Sequence, residues 1–127
     1  TGDNSGMTVL VAADYGGRWD ITNAARQLAQ QVKAGKLDPE KISEELMHAH
    51  TAASNLPAPD LCIRTGGEHR ISNFLLWQFA YTELYCTSTL GPDFDAAELD
   101  LALADFASRQ RRYGKLSEQV ETKREGA

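Results

Sequence analysis

No apolar run in this 127-residue chain approaches the ~20 residues that a membrane-spanning helix requires, and no secretory leader opens it. Cysteine is scarce. Cys62 and Cys86 stand in separate apolar stretches, which excludes a disulfide framework and any metal-ligand spacing. The expectation is two small buried thiols in a reducing cytosol. Positive charge is also in deficit: 13 Lys and Arg against 18 Asp and Glu leave a net charge of −5. A general nucleic-acid binder would show a broad basic face, so any bound anion must be held locally by a few converging groups. Hydrophobic residues at 42% and charged residues at 24% are ordinary globular values, and the length suits one core rather than two. There are no repeats, no low-complexity segment and no internal linker. The opening, "TGDNSGMTVLVAADYGG", enters an apolar run almost at once, as a chain entered in mid-domain would.

The pattern along the chain predicts an α/β layout with a parallel sheet flanked by helices. Met7–Ala13, "MTVLVAA", is short, apolar and β-branched, the signature of a strand covered on both faces. Ile21, Ala24, Ala25, Leu28, Ala29 and Val32 recur at helical spacing, with Asp20 able to cap the start and Gly35 to end the helix. Asp38 and Pro39 announce a second helix that buries Ile42, Leu46, Ala49 and Ala53 and breaks at "NLPAPD". Leu61–Arg64 reads as a strand, 73–80 as a short helix and Thr82–Cys86 as a third strand. Asp95 and Glu98 form a capping box for a last helix running to about Arg112.

Four polar features sit in or beside the loops. In "RTGGEHR", Arg64–Arg70, paired glycines can turn backbone N–H groups toward an anion and arginines can grip phosphate oxygens. Ser72 adds a hydroxyl where a helix would begin. The same residues also suit a solvated turn. Glu83 in "YTELY" is either a solvent-facing strand residue or a hard-metal ligand, since Mg²⁺ often bridges one or two carboxylates to substrate phosphates. "DYGGR", Asp14–Arg18, reads as a tight strand-to-helix turn. "RQRRYG", Arg109–Gly114, complements a helix dipole, with Gly114 as the residue past its end. His48 and His50 cannot share a helix face, His69 could titrate near neutrality, and Trp19 and Trp77 read as packing residues.

Taken together, "DLCIRTGGEHRISNFLLWQ", Asp60–Gln78, with "YGGRWDI" before it and "AYTELY", "PDF" and "RRYG" after it, resembles the cis-prenyltransferase family. The bacterial members make the polyprenyl carrier lipid for cell-wall synthesis. The resemblance implies that Arg64, Arg70 and Ser72 hold the diphosphate of isopentenyl diphosphate, and that Glu68 and His69 line the same site. It implies that Glu83 helps to bind Mg²⁺, and that Arg112 and Gly114 reach the site of a partner subunit in a homodimer. The implied reaction condenses isopentenyl diphosphate onto an allylic diphosphate such as farnesyl diphosphate. It also implies a cytoplasmic location, peripheral to the inner membrane, with transient contact at the membrane surface for product release.

The likeness covers about Thr1 to Lys115 and has no counterpart of the family's N-terminal half, with its "D-G-N-G-R" loop and tunnel helices. Residues 1–115 are therefore expected to be the C-terminal half of the domain, and 116–127 a frayed polar tail. Asp14, Gly91 and Cys62 depart from the residues usual at those positions. With half the constellation present, the isolated chain is expected to show no turnover; a non-catalytic diphosphate-binding or partner subunit is the alternative. Uncovered strand edges would also favour association or exchange of helices between copies.

Overall fold

A computed structural model describes residues 6–109 and 111–113. Two short strands, β1 (Leu61–Arg64) and β2 (Glu83–Cys86), pair in parallel with Leu61 opposite Glu83 and Arg64 opposite Cys86. Three helices accompany them: α1 (Gly17–Lys33), α2 (Glu44–Ala49) and α3 (Ala96–Ser108). The parallel α/β class expected from the sequence is what forms. Packing is thin, with Ala24, Leu28 and Ala102 the buried apolar residues among those described.

Helix α1 buries one stripe, Gly17, Asp20, Ala24 and Leu28, at the three- and four-residue spacing of a single helix face. Its end is a Schellman motif: Gly35 sits at φ 73, Gly35 N donates to Val32 O at 3.0 Å and Lys36 N to Gln31 O at 2.9 Å, satisfying carbonyls that the helix leaves open. Its start departs from expectation. The N-cap is Gly16, without a capping side chain of its own, and Asp20 is buried at 2% exposure. There Asp20 accepts from the Tyr15 hydroxyl (2.7 Å), Gln78 Nε2 (3.0 Å) and Ala52 N (2.9 Å). A carboxylate that deep persists because three donors replace its water.

The second expected helix divides. Asp38 accepts from Glu40 N at 3.0 Å and starts only a 3-10 turn, Pro39–Lys41, after which Ile42 returns to extended backbone. Ser43 then caps α2 by accepting from Leu46 N at 3.1 Å. Two side-chain caps five residues apart compete for the backbone, and each begins its own short element. His50 Nδ1 meets Leu46 O at 2.9 Å. That pairing assigns the proton to Nδ1, leaving Nε2 to accept from Gln31 Nε2 at 3.0 Å and tie the end of α2 to α1.

Four other expectations fail. Met7–Ala13 is not a strand; Met7, Val9, Leu10 and Val11 are 64–82% exposed. No strand among the described residues offers this run a ladder, and β-branched composition without a partner does not make one. Residues 73–80 form turns rather than a helix, because Asn73 and Leu75 lie at φ 65 and 44, outside the helical well. Helix α3 begins as expected, Asp95 accepting from Glu98 N at 3.0 Å, but it stops at Ser108. Arg109 leaves the helix in extended conformation. Trp19, expected in the core, is 61% exposed, whereas Trp77 is half-buried and donates from Nε1 to His48 Nδ1 at 3.2 Å. The cysteines are half-buried free thiols. Gly114 and the 116–127 tail lie outside the described residues.

Candidate functional site

The candidate residues divide between the two ends of the β1–β2 ladder. At the C-terminal end, β1 delivers Arg64 into the loop 65–72. Gly66 and Gly67 turn the chain at φ 81 and 79, values that a side chain would resist. Their N–H groups do not face outward as expected from the sequence: Gly66 N donates to Thr89 O and Gly67 N to Thr87 O, each at 2.9 Å. The glycine pair therefore fastens the loop to residues 87–89, and any anion is left to side chains. Arg64 Nη1 donates to the carbonyl of Arg70 at 3.2 Å and has no ion pair among the described residues. Arg70 is 77% exposed, with Glu68 at 3.8 Å, a separation and exposure at which the pair contributes little. His69 and Ser72 are exposed on the same loop. Gly91 backs the loop; a Cβ there would meet Thr65 Oγ1 at 3.7 Å, ordinary contact, so the fold does not demand glycine at that position.

The loop rests on the start of α1. Asn73 accepts from Gly17 N through its backbone oxygen (2.6 Å) and from Arg18 N through Oδ1 (2.9 Å). A Cβ on Gly17 would lie 2.6 Å from Leu76 Cγ and 3.0 Å from Asn73 O, so this glycine permits close packing of helix on turn. Ser72, Asn73 and Leu75 take positive φ, at a cost of roughly 1 kcal/mol or more each for residues with a side chain.

At the other end, Glu83 opens β2 opposite Leu61, three residues down the ladder from Arg64, about 10 Å at a rise of ~3.3 Å per residue. The loop arginines and Glu83, expected to converge, stand at opposite ends of the strand pair. Glu83 Oε2 accepts from Arg109 Nη1 at 3.2 Å. Arg109 also reaches Asp105 Oδ2 at 2.7 Å and Leu84 O at 2.8 Å. Burial, which lowers the Arg109 pKa, is outweighed by the hydrogen bonds and charges of Asp105 and Glu83, which raise it. Arg111 bonds Asp60 Oδ1 (2.6 Å) and Tyr81 O (2.9 Å) and lies 4.5 Å over the Tyr113 ring. Arg112 shares an open hollow of about 490 Å³ with Tyr81, Thr82, Glu83, Arg109 and Tyr113.

No cluster of three or more His, Cys, Asp or Glu side chains suited to a metal occurs among the described residues. Glu83 offers one carboxylate. That donor set does not fit an all-protein metal cage, but it fits one ligand of an ion whose remaining oxygens come from a phosphate and water.

Comparison with known proteins gives the family of the chain. The family model for undecaprenyl diphosphate synthase matches residues 1–114. The chain belongs to that family. A ditrans,polycis-undecaprenyl-diphosphate synthase of Pseudomonas syringae pv. tomato, named as (2E,6E)-farnesyl-diphosphate specific, is 60% identical over 121 residues, 95% of this chain and 48% of the relative. The Escherichia coli K12 enzyme of the same name is 55% identical over 114 residues, covering 90% and 45%. Lavandulyl diphosphate synthase from Lavandula x intermedia, solved in complex with dimethylallyl diphosphate, superposes with a TM-score of 0.84 at 45% identity, covering 90% of this chain and 49% of that one. The chain spans about half the length of the curated relatives it matches.

Sequence reasoning overlooked Asn73 and the role of Asp20, and it read Arg109 and Arg111 as complements of a helix dipole rather than as partners of Glu83, Asp105 and Asp60. One signal was available for Asp20: it is an acid on the stripe shared with Ala24 and Leu28. Asp105 and Arg109 stand four apart at the end of α3, a pairing distance. Asn73 left no local mark, since its partners lie 55 residues away.

Proposed function

We propose that this chain is the isopentenyl diphosphate-binding half of a Mg²⁺-dependent cis-prenyltransferase. The whole enzyme would condense isopentenyl diphosphate onto an allylic diphosphate such as farnesyl diphosphate, building the polyprenyl carrier of cell-wall synthesis. The observation that carries the reading is the Arg64–Ser72 loop: two arginines, one with no ion pair among the described residues and one with a weak one, on a turn fastened by Gly66 and Gly67 in a chain of this family. Arg64 and Arg70 would grip the diphosphate oxygens and Ser72 would donate its hydroxyl, with Glu68 and His69 at the edge. Isopentenyl diphosphate keeps its diphosphate in the condensation, so these groups would bind and orient that substrate, while the charge that develops is on the departing diphosphate of the allylic partner. A bound Mg²⁺ would supply further neutralisation of diphosphate charge. In this chain Glu83 would hold it across the roughly 10 Å of ladder that separates this carboxylate from Arg64, exchanging Arg109 for the ion. Arg112 and Gly114 would act across a homodimer, in the partner's site.

The test uses the 127-residue chain with labelled isopentenyl diphosphate, farnesyl diphosphate and Mg²⁺. The expected result is no elongation, together with Mg²⁺-stimulated binding of isopentenyl diphosphate that loses its Mg²⁺ dependence in Glu83→Ala. Longer prenyl diphosphates would overturn the half-site reading and leave the chain an enzyme in its own right. Failure to bind isopentenyl diphosphate at all would overturn the assignment of the loop.

A further inference from the structure

We infer that Asn73 is a positioning residue that holds the arginine loop to the first turn of α1, so that the loop keeps one shape before any ligand arrives. The inference concerns the loop's conformation, and its consequence for binding rests on the diphosphate reading above. A single residue satisfies two successive orphan N–H groups of a 17-residue helix, one through its backbone oxygen to Gly17 N at 2.6 Å and one through Oδ1 to Arg18 N at 2.9 Å. Helix starts ordinarily draw such acceptors from the residue just before them. Here Gly16 has no side chain to offer, and the acceptor comes from a turn 55 residues later.

Two further observations point the same way. The start of α1 is shaped to receive this turn and nothing bulkier. A Cβ on Gly17 would fall 2.6 Å from Leu76 Cγ, and one on Gly16 would fall 3.1 Å from Asn73 Nδ2. The backbone around Asn73 is also held where it would not settle alone, with φ of 49 at Ser72, 65 at Asn73 and 44 at Leu75. Asparagine tolerates the left-handed region better than most residues with a side chain, but serine and leucine do not, and such conformations persist only when their surroundings over-determine them. The α1 contact supplies that constraint. Ser72 is the neighbour of Asn73 and Arg70 lies three residues before it, so fixing Asn73 fixes the end of the loop on which both stand.

Hydrogen exchange on the ligand-free 127-residue chain tests the inference. In Asn73→Ala, amides of Arg18 and of residues 64–72 should exchange together about fivefold faster or more, the loss expected of a helix N-cap. Thr87 N, bonded to Arg64 O, should keep its protection as the internal sign that the strand pair is folded. Asn73→Asp, which retains the Oδ1 acceptor, should restore protection to both regions. Asn73→Gly, which accepts φ 65 without a side chain, should not; full protection in the glycine variant would overturn the role of the Oδ1 bond. Gly17→Ala is the second route, since its Cβ drives α1 off the turn with Asn73 intact and should loosen the same loop. Unchanged loop exchange in Asn73→Ala, or exchange that rises at Arg18 alone, overturns the inference. Binding of isopentenyl diphosphate separates the two readings. Weaker binding in Asn73→Ala with recovery in Asn73→Asp supports both. Binding unaffected by Arg64→Ala overturns the diphosphate assignment and leaves the exchange result to decide the role of Asn73.

Discussion

The two ends of the β1–β2 ladder carry similar charges to opposite effect. At the N-terminal end of β2, Arg109 and Arg111 lie within 3.2 Å of carboxylates or carbonyls. Their charges are neutralised by the chain's own acids, and they fasten the segment after α3 to the sheet. At the C-terminal end of β1, among the described residues, Arg64 meets only a carbonyl and Arg70 a single exposed acid at 3.8 Å. Arginine content alone cannot separate a clamp from a binding group. What separates them is how closely and how deeply a carboxylate is held. Arg109 and Arg111 are paired at 2.6–3.2 Å in part-buried positions and hold the fold, whereas the exposed Arg70–Glu68 pair at 3.8 Å leaves its guanidinium able to meet another anion.

The sharpest way to break this comparison is Arg64→Ala. Loss of a charge-assisted contact should weaken isopentenyl diphosphate binding by about 2–3 kcal/mol, roughly 30-fold or more, while urea unfolding shifts by less than about 0.5 kcal/mol. Titration calorimetry and a denaturation curve on the same protein decide it; a large loss of stability with unchanged affinity would reverse the roles given to the two ends. Arg111→Ala should do the opposite. It removes the Asp60 and Tyr81 bonds and the packing on Phe106 and Tyr113, from a side chain only 16% exposed. A loss of about 2 kcal/mol in unfolding free energy is expected, with affinity for the diphosphate little changed.

The smallest effect is one of pH. Burial, with the neighbouring Cys86 thiol, raises the Cys62 pKa, and the Arg64 charge opposes the rise. The folded state therefore holds this proton more tightly than the unfolded chain does. Its contribution to stability is complete below the ordinary thiol value of about 8.5 and is lost as pH climbs through the raised one. Tyr15 acts in the same direction at higher pH, its phenol pushed up by burial and by its bond to Asp20. Urea midpoints should fall above about pH 9, in the thiol range, and Cys62→Ala should flatten the first part of the fall. Arg64→Ala should slow alkylation of Cys62 at pH 8, because the cation that favours the thiolate has gone. Faster alkylation would show that Arg64 does not lie against this thiol.

The candidate site was legible as a string of residues in its residue types, though not in its geometry. "RTGGEHRIS" and "YTELY" name their candidates because phosphate and hard-metal chemistry needs arginines, a hydroxyl and a carboxylate, and those residue types persist whatever the fold does. The helix stripe of Ala24 and Leu28, the Schellman end at Gly35 and the Asp95 cap were equally readable, since each depends on neighbours within a few positions. Met7–Ala13 was misread for the converse reason: its composition asks for a strand, but a strand exists only where another chain segment completes its hydrogen bonds.

By itself, then, the sequence determined the parallel α/β class, the ends of the helices that carry their own caps, and the identity of the groups that could hold a diphosphate. Only the tertiary structure decided which arginines are neutralised, that the glycine N–H groups face Thr87 and Thr89 rather than a ligand, and that Asn73 caps a helix 55 residues away. The physical reason is range. Propensity, capping and side-chain chemistry act over a few residues, whereas desolvation and ion pairing depend on which distant segments the fold brings within about 4 Å.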